Sequence, residues 1–267
     1  MGLKFTILGC GSSSGVPRIT GDWGACDPDE PKNRRRRCAI LVQKTNDNGT
    51  TTILIDVGAD IHAQLLGLAL PMLDAVLLTH EHADHTHGID DLRAFAQDSR
   101  QQIPLYMTDQ TFADVGQKFS YCFTQLEGSY YPAILKRIEM NYDQAFDIDG
   151  AGGSIHVLPV KVTHGAIDVA AFLIDGVMYS ADVSDIPENS LYAFENLDIW
   201  LIDCLRPRPH VSHFGLDDSM EWIDKLRPAR AILTNMTGEL DYKTLKDQLA
   251  LTNKNIIPAY DGMVFKT

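Results

Sequence analysis

The sequence predicts a layered α/β fold in which two β-sheets are covered by helices. Three observations lead there. Short β-branched apolar runs recur along the whole chain, helical patterns stand between groups of them, and strict strand–helix alternation is absent. The last of these argues against a single doubly wound sheet. With 267 residues and 45% hydrophobic content the chain can bury a sizeable core. No Pro/Gly/Ser-rich linker or break in composition divides it, so residues 1–267 read as one domain.

Taken in order, strands are expected at 3–9, 38–44, 51–57, 74–79 and 103–108. A second series is expected at 154–162, 169–174, 176–182, 198–203, 229–234 and 262–266. Asp175-Gly176, between two of these runs, is a hairpin signal, because both residue types tolerate a positive φ. Helices are expected at 59–70, 88–97, 109–123, 217–227 and 241–250, some opened by an aspartate at or near the N-cap.

Composition removes several classes of function. No apolar run approaches the roughly 20 residues needed to span a bilayer. The N-terminus lacks the basic start and long apolar stretch of a secretory signal. The five cysteines are odd in number and widely spaced, without C-x-x-C, so a disulfide framework is not expected and a reducing cytoplasm is the default location. The formal charge of −13 disfavours long nucleic acid as a partner. The one basic run, Lys32 to Arg37, reads first as a solvated loop edge and second as a clamp for an anionic substrate.

The chemistry concentrates in "LLTHEHADHTHG". His80, His82, Asp84 and His85 directly follow an apolar strand run. Imidazole is the commonest neutral metal ligand, and carboxylate suits harder cations. If the strand continues through them, His80 and His82 point the same way. One run cannot close a metal shell, so other strand ends must donate. His164, Asp182 and Asn235 each follow an apolar run, which places several polar strand ends at one sheet edge.

"THEHADHTHG" resembles the H-x-H-x-D-H signature of the metallo-β-lactamase superfamily. "ILGCGSSSGVP" is similar to the opening strand and loop of its phosphodiesterase and tRNA 3′-processing branches, and the overall likeness is to the PhnP-like phosphodiesterases. The resemblance implies an αβ/βα four-layer sandwich with a two-metal site, zinc or manganese, at one edge. Carried over by position, it implies His80, His82 and His164 around one metal, Asp84 and His85 around the other, and Asp182 bridging. Asn235 stands where a histidine is usual, and an amide oxygen is a weaker, harder ligand, so the second site is expected to be looser. His213, ahead of a helix, resembles the histidine that contacts phosphate and serves as acid, with His210 as a substitute; His87 reads as a spare surface residue. Ser13, with Ser12 and Ser14, offers donors to phosphate from a glycine-flanked loop. The branch can carry a structural zinc on closely spaced N-terminal cysteines; only Cys26 and Cys38 stand here, and none is expected.

The implied function is hydrolysis of small cyclic or nucleotide phosphodiesters. A water bridging the metals, oriented by Asp84 and Asp182, would lose a proton and attack. Two other classes use the same residues: thioester, other ester or lactam hydrolysis, and non-catalytic metal binding on a degraded site. A homodimer is compatible with the likeness alone.

Overall fold

The computed structural model describes residues 2–252 and 254–267. The strands are β1 (Lys4–Gly9), β2 (Ala39–Asn46), β3 (Gly49–Ile55), β4 (Ala75–Leu77), β5 (Ile103–Met107), β6 (Leu135–Glu139) and β7 (Phe146–Ile148). The series continues with β8 (Ile155–His164), β9 (Ile167–Ile174), β10 (Val177–Ser180), β11 (Ile199–Asp203), β12 (Arg230–Thr234), β13 (Ile256–Pro258) and β14 (Val264–Lys266). They form two seven-stranded sheets, ordered β14-β1-β2-β3-β4-β5-β6 and β13-β12-β11-β10-β9-β8-β7. The last strand returns to the first, pairing antiparallel with Lys4 opposite Lys266.

Alternation along the strands builds the layers. Ile40 and Val42 of β2 and Ile53 and Ile55 of β3 join a core shared with Val160, Phe172 and Leu201 of the second sheet. The residues between them, Leu41 and Leu54, face the other way and pack with Ile61, Leu92, Ala96 and Val115. Both faces of the sheet are therefore buried, which is why its strands read as continuous apolar runs. Those outer contacts come from α1 (Ile61–Leu65), the turn before α3 (Arg93–Ser99), α3 itself, α4 (Asp109–Lys118) and α5 (Ser120–Phe123), while the short α2 (Ala83–Thr86) carries part of the histidine run. On the second sheet the covering helices are α6 (Leu216–Leu226) and α7 (Tyr242–Ala250). The result is the four-layer sandwich expected from the resemblance.

Several local expectations change. The helix at 59–70 ends at Leu65, because Gly67 and Ala69 take left-handed φ of 88° and 51°. The helix at 88–97 opens as a 3₁₀ turn, Ile89–Leu92, before α3 begins. The helix at 109–123 breaks at Phe119 (φ −119°, ψ 33°) into α4 and α5. Strand 74–79 is only Ala75–Leu77, so no strand passes through His80 and His82. Strands β6, β7 and β13 were not anticipated. β6 lies at a sheet edge and carries Lys136, Arg137 and Glu139, charges that suit an edge and hide a strand signal. β7 and β13 are three-residue edge strands. The Asp175-Gly176 turn forms as read, with both residues at positive φ (50° and 76°) between antiparallel β9 and β10.

The cap of α7 yields a measurable stability term. Asp241 accepts from Thr244 N at 2.9 Å and from Asn33 Nδ2 at 2.6 Å. Burial opposes its ionisation, but these hydrogen bonds prevail and bring its pKa from 3.8 down to about 2. The folded value lies below the unfolded one, so the term is present above 3.8 and is lost as the pH falls towards about 2. Asp241→Ala should cost about 1 kcal/mol at neutral pH. Urea melts of the two proteins should converge over that acid window; a gap that persists unchanged to the bottom of it would contradict the assignment.

Among the described residues no helix is long and apolar enough to cross a membrane.

Candidate metal centre

The polar residues of interest lie just past the carboxyl ends of strands. Asp56 follows β3, the histidine cluster follows β4, and His164 ends β8. Asp182 follows β10, Asp203 ends β11 and Asn235 follows β12. Parallel neighbours in each half aim these ends at one edge, where open α/β sheets place ligands.

Asp56 organises the cluster. Buried and at φ 64°, it accepts from Thr79 N at 2.9 Å, Thr79 Oγ1 at 3.0 Å and His85 Nδ1 at 2.8 Å. The last bond fixes the His85 tautomer and turns Nε2 inward, 3.3 Å from Asp182 Oδ1 and 3.5 Å from Asp84 Oδ2. That Nε2 is buried and has no hydrogen-bond partner. His80 is fully buried, with Nδ1 2.9 Å from Thr79 Oγ1 and Nε2 2.9 Å from His82 Nδ1. His82 caps α2 and is exposed. His164 donates from Nδ1 to Ser212 O at 2.6 Å, leaving Nε2 3.7 Å from Asp182 Oδ2.

Three sets of ligand atoms converge within 4.8 Å: His80, His82 and His164; His80, His85 and Asp182; His164, Asp182 and His213. Asp182 belongs to two of the three. Burial opposes its ionisation, yet the charge of His85 above all holds it well below the usual carboxylate range. Burial and the neighbouring imidazoles push His80 well below the ordinary histidine value, and burial lowers His164 likewise. His80 and His164, neutral beside an ionised carboxylate, are donors of the kind a divalent cation requires, whereas the charges of Asp182 and Asp56 raise His85 against its burial. The crowded ring nitrogens and the orphaned His85 Nε2 fit a metal on the same grounds.

Beside this cluster stands a pair that the sequence reading took only in half. His213 Nδ1 lies 2.8 Å from Asp203 Oδ2, which also accepts from Val183 N at 3.0 Å. Burial, aided by the charge of Asp182, pushes Asp203 up to about 7. Burial works against a charged His213, but its hydrogen bond to Asp203 and the acidic neighbours raise it above the ordinary value. Neither Asp203 nor Asp56 was anticipated. Each ends or follows an apolar strand run, in "IWLID" and "ILIDVG", the same signal that pointed to Asp182.

The other expected residues fall as follows. Asp84 is one-sixth exposed and reaches His85. Ser13 lies on an exposed turn in a cleft of about 560 Å³ that Asp84, His87, Arg18 and Arg37 also line. His87 lies edge-on to Phe119 at a centroid distance of 5.7 Å. His210 sits 5.3 Å from the His213 ring and receives Ser212 N at 3.3 Å, outside the three ligand sets. Asn235 Nδ2 approaches Asp182 Oδ1 at 3.3 Å and Asp203 Oδ1 at 3.2 Å.

The basic run is largely spent on the fold rather than gathered into a clamp. Arg35 is buried and donates to the carbonyls of Thr237 and Leu240 at 2.9 and 2.6 Å. Arg36 pairs with Asp261 at 3.0 Å, Arg34 covers Trp23, and Lys32 sits over Tyr242 and Tyr260. Only Arg37, paired with Asp60 at 3.0 Å, lines the cleft. The five cysteines are buried and free.

Residues 51–236 match the model of a family described as the β-lactamase superfamily domain. Among solved structures, a diphosphatase of the PhnP family is 29% identical, with 100% of this chain and 98% of that one covered at a TM-score of 0.87. The metallo-β-lactamase-fold protein YhfI of Bacillus subtilis is 22% identical, covering 100% and 99% at 0.73, and shares the fold. The short form of human tRNase Z also shares it, at 16% identity, 98% of each chain and 0.65. A protein of Porphyromonas gingivalis named octanoyltransferase is 26% identical over 264 residues, which are 98% of this chain and 51% of that protein. The chain thus spans about half the length of the curated relative it matches.

Proposed function

Because this chain belongs to the β-lactamase superfamily, as a metallo-β-lactamase-fold hydrolase, we propose that it is a metal-dependent phosphodiesterase acting on small cyclic or nucleotide phosphodiesters. His80, His82 and His164 would hold one ion, Asp84 and His85 the other, and Asp182 would face both. Two divalent ions there, zinc or manganese, would supply an ionised water as nucleophile and neutralise charge on the phosphoryl oxygens.

The remaining steps belong to the chain's own residues. Asp84 and Asp182 accept hydrogen bonds from the attacking water and fix its direction. Asp203 holds His213 Nδ1, which leaves Nε2 to carry a proton towards the site, 4.0 Å from Asp182 Oδ2. From there it donates to the departing alkoxide. Ser13 contributes donors to the phosphate from the cleft wall.

The observation that carries this reading is the oriented Asp203–His213 pair, an acid set at the rim of a metal cluster. The full-length likeness to a PhnP-family diphosphatase supports phosphorus chemistry. The net charge of −13 and the internal use of Arg35 and Arg36 support a small substrate rather than long nucleic acid. A thioester or other ester substrate has one observation of its own, the half-length relative named for octanoyl transfer.

A reconstitution assay separates these. The protein is stripped, zinc or manganese is returned, and hydrolysis of bis(p-nitrophenyl) phosphate is followed beside an acyl thioester and a β-lactam. Metal-dependent release from the diester alone is expected. Preference for the thioester or the lactam would replace the proposal, and no turnover with ions bound would point to a non-catalytic site.

A further inference from the structure

We propose that Asn235 acts as a hydrogen-bond donor clipping two carboxylates together, not as a metal ligand, so that the centre binds one ion tightly and a second weakly. The inference rests on the metal centre proposed above and concerns its loading.

The amide has one sensible orientation. Its nitrogen lies 3.3 Å from Asp182 Oδ1, 3.2 Å from Asp203 Oδ1 and 3.1 Å from His213 Nδ1, and the two carboxylate contacts outweigh the one ring nitrogen in setting its orientation. Reversing the amide would press its oxygen against two carboxylate oxygens in a buried site, where the repulsion is poorly screened. The oxygen instead lies 3.9 Å from Cys38 Sγ, which donates to it. The side chain is also fixed in place. Asn235 is 2% exposed and has a left-handed φ of 61°. The next residue is tied on both sides, Met236 N donating to Cys10 O and Ser12 N to Met236 O. Asparagine is among the few residues that take this backbone comfortably while offering a donor there.

The two halves of the centre are therefore unequal. His80, His82 and His164 with Asp182 supply four donors, a closed set for a borderline cation. The other half has only Asp84, His85 and the shared Asp182. The unpartnered His85 Nε2 shows that this half is aimed at a cation. His213 does not complete it, because its ligand atom groups with His164 and Asp182 on the opposite side.

The test titrates the stripped full-length chain with Zn²⁺ or Mn²⁺ alone, by calorimetry against a competing chelator, with metal analysis after dialysis. One ion per chain should survive dialysis, and the second should bind at least roughly 100-fold more weakly. Asn235→Asp, the same shape with a new acceptor, should tighten the weak ion at least roughly tenfold and leave the tight one within about threefold. Asn235→Ala removes the clip on the shared Asp182 and should weaken both ions together, by roughly 10–100-fold. Two wild-type ions of equal affinity would overturn the inference. So would a selective tenfold loss of the weaker ion in Asn235→Ala, since the amide oxygen would then be a ligand. Either result alongside metal-dependent diester hydrolysis would leave the proposed function standing. No ion bound at all would sink both.

Discussion

Asp182→Ala should abolish turnover, lowering kcat/KM by at least ~10³-fold, more than the 10–100-fold typical when only a ligand's supporting partner is lost. Among the described residues, Asp182 is the one carboxylate within reach of all of His80, His85, His164 and His213, at 3.9, 3.3, 3.7 and 4.0 Å. Its removal takes a donor from both halves of the centre. The same change leaves His85 buried with less compensating charge, and breaking a buried pair of this kind costs about 3–5 kcal/mol. A loss of activity could then reflect a loss of fold. His82→Ala separates the two effects. His82 is exposed and caps a four-residue helix without a side-chain cap bond, so little of the fold depends on it. It should lose activity on a comparable scale, with a circular dichroism spectrum and melting curve close to wild type. Activity retained in either variant, measured with saturating metal, would remove these residues from the centre.

His213→Ala is the second large effect: kcat should fall by about 10²–10⁴-fold, the usual contribution of a positioned acid. The loss should be greater for an alkoxide leaving group than for p-nitrophenolate, which departs without a proton. Metal analysis decides the role, because His213 also stands in a ligand-like group with His164 and Asp182. An acid leaves both ions bound when removed, whereas a ligand takes one with it. Asp203→Asn should act in the same direction but less, by releasing His213 Nδ1 from its 2.8 Å contact and leaving the ring in place. A Brønsted plot across leaving groups that has the same slope in His213→Ala as in wild type would exclude the acid role.

Much of this was legible before any coordinates. A metal-binding run needs rigid backbone beneath it, so "VLLTHEHADH" could be read as a strand end loaded with ligands. The same rule, a polar residue closing an apolar run, located His164 and Asp182. Applied without preference, it also marks Asp56 and Asp203, which were passed over because a single buried aspartate looks like any turn residue. Their partners make them notable, and no short motif links either pair: His85 lies 29 positions from Asp56, and His213 lies 10 from Asp203 across a loop. The basic run was misleading for a related reason. Four consecutive arginines look like one patch, but Arg35 is buried on the carbonyls of Thr237 and Leu240 while Arg36 and Arg37 pair with Asp261 and Asp60.

The sequence by itself determined the two-sheet α/β class, the strand ends that gather polar side chains and the His/Asp groups that could hold a metal. These follow from periodicity, turn residues and ligand type, which act over a few neighbouring positions. Tertiary structure alone decided which strand ends meet, which histidine nitrogen faces inward, and how the Asn235 amide is turned between Asp182 and Asp203. Those choices depend on contacts across the sandwich, where a hydrogen bond of about 3 Å joins residues dozens of positions apart. No local pattern records them, because each is fixed by the partner that the fold brings to it.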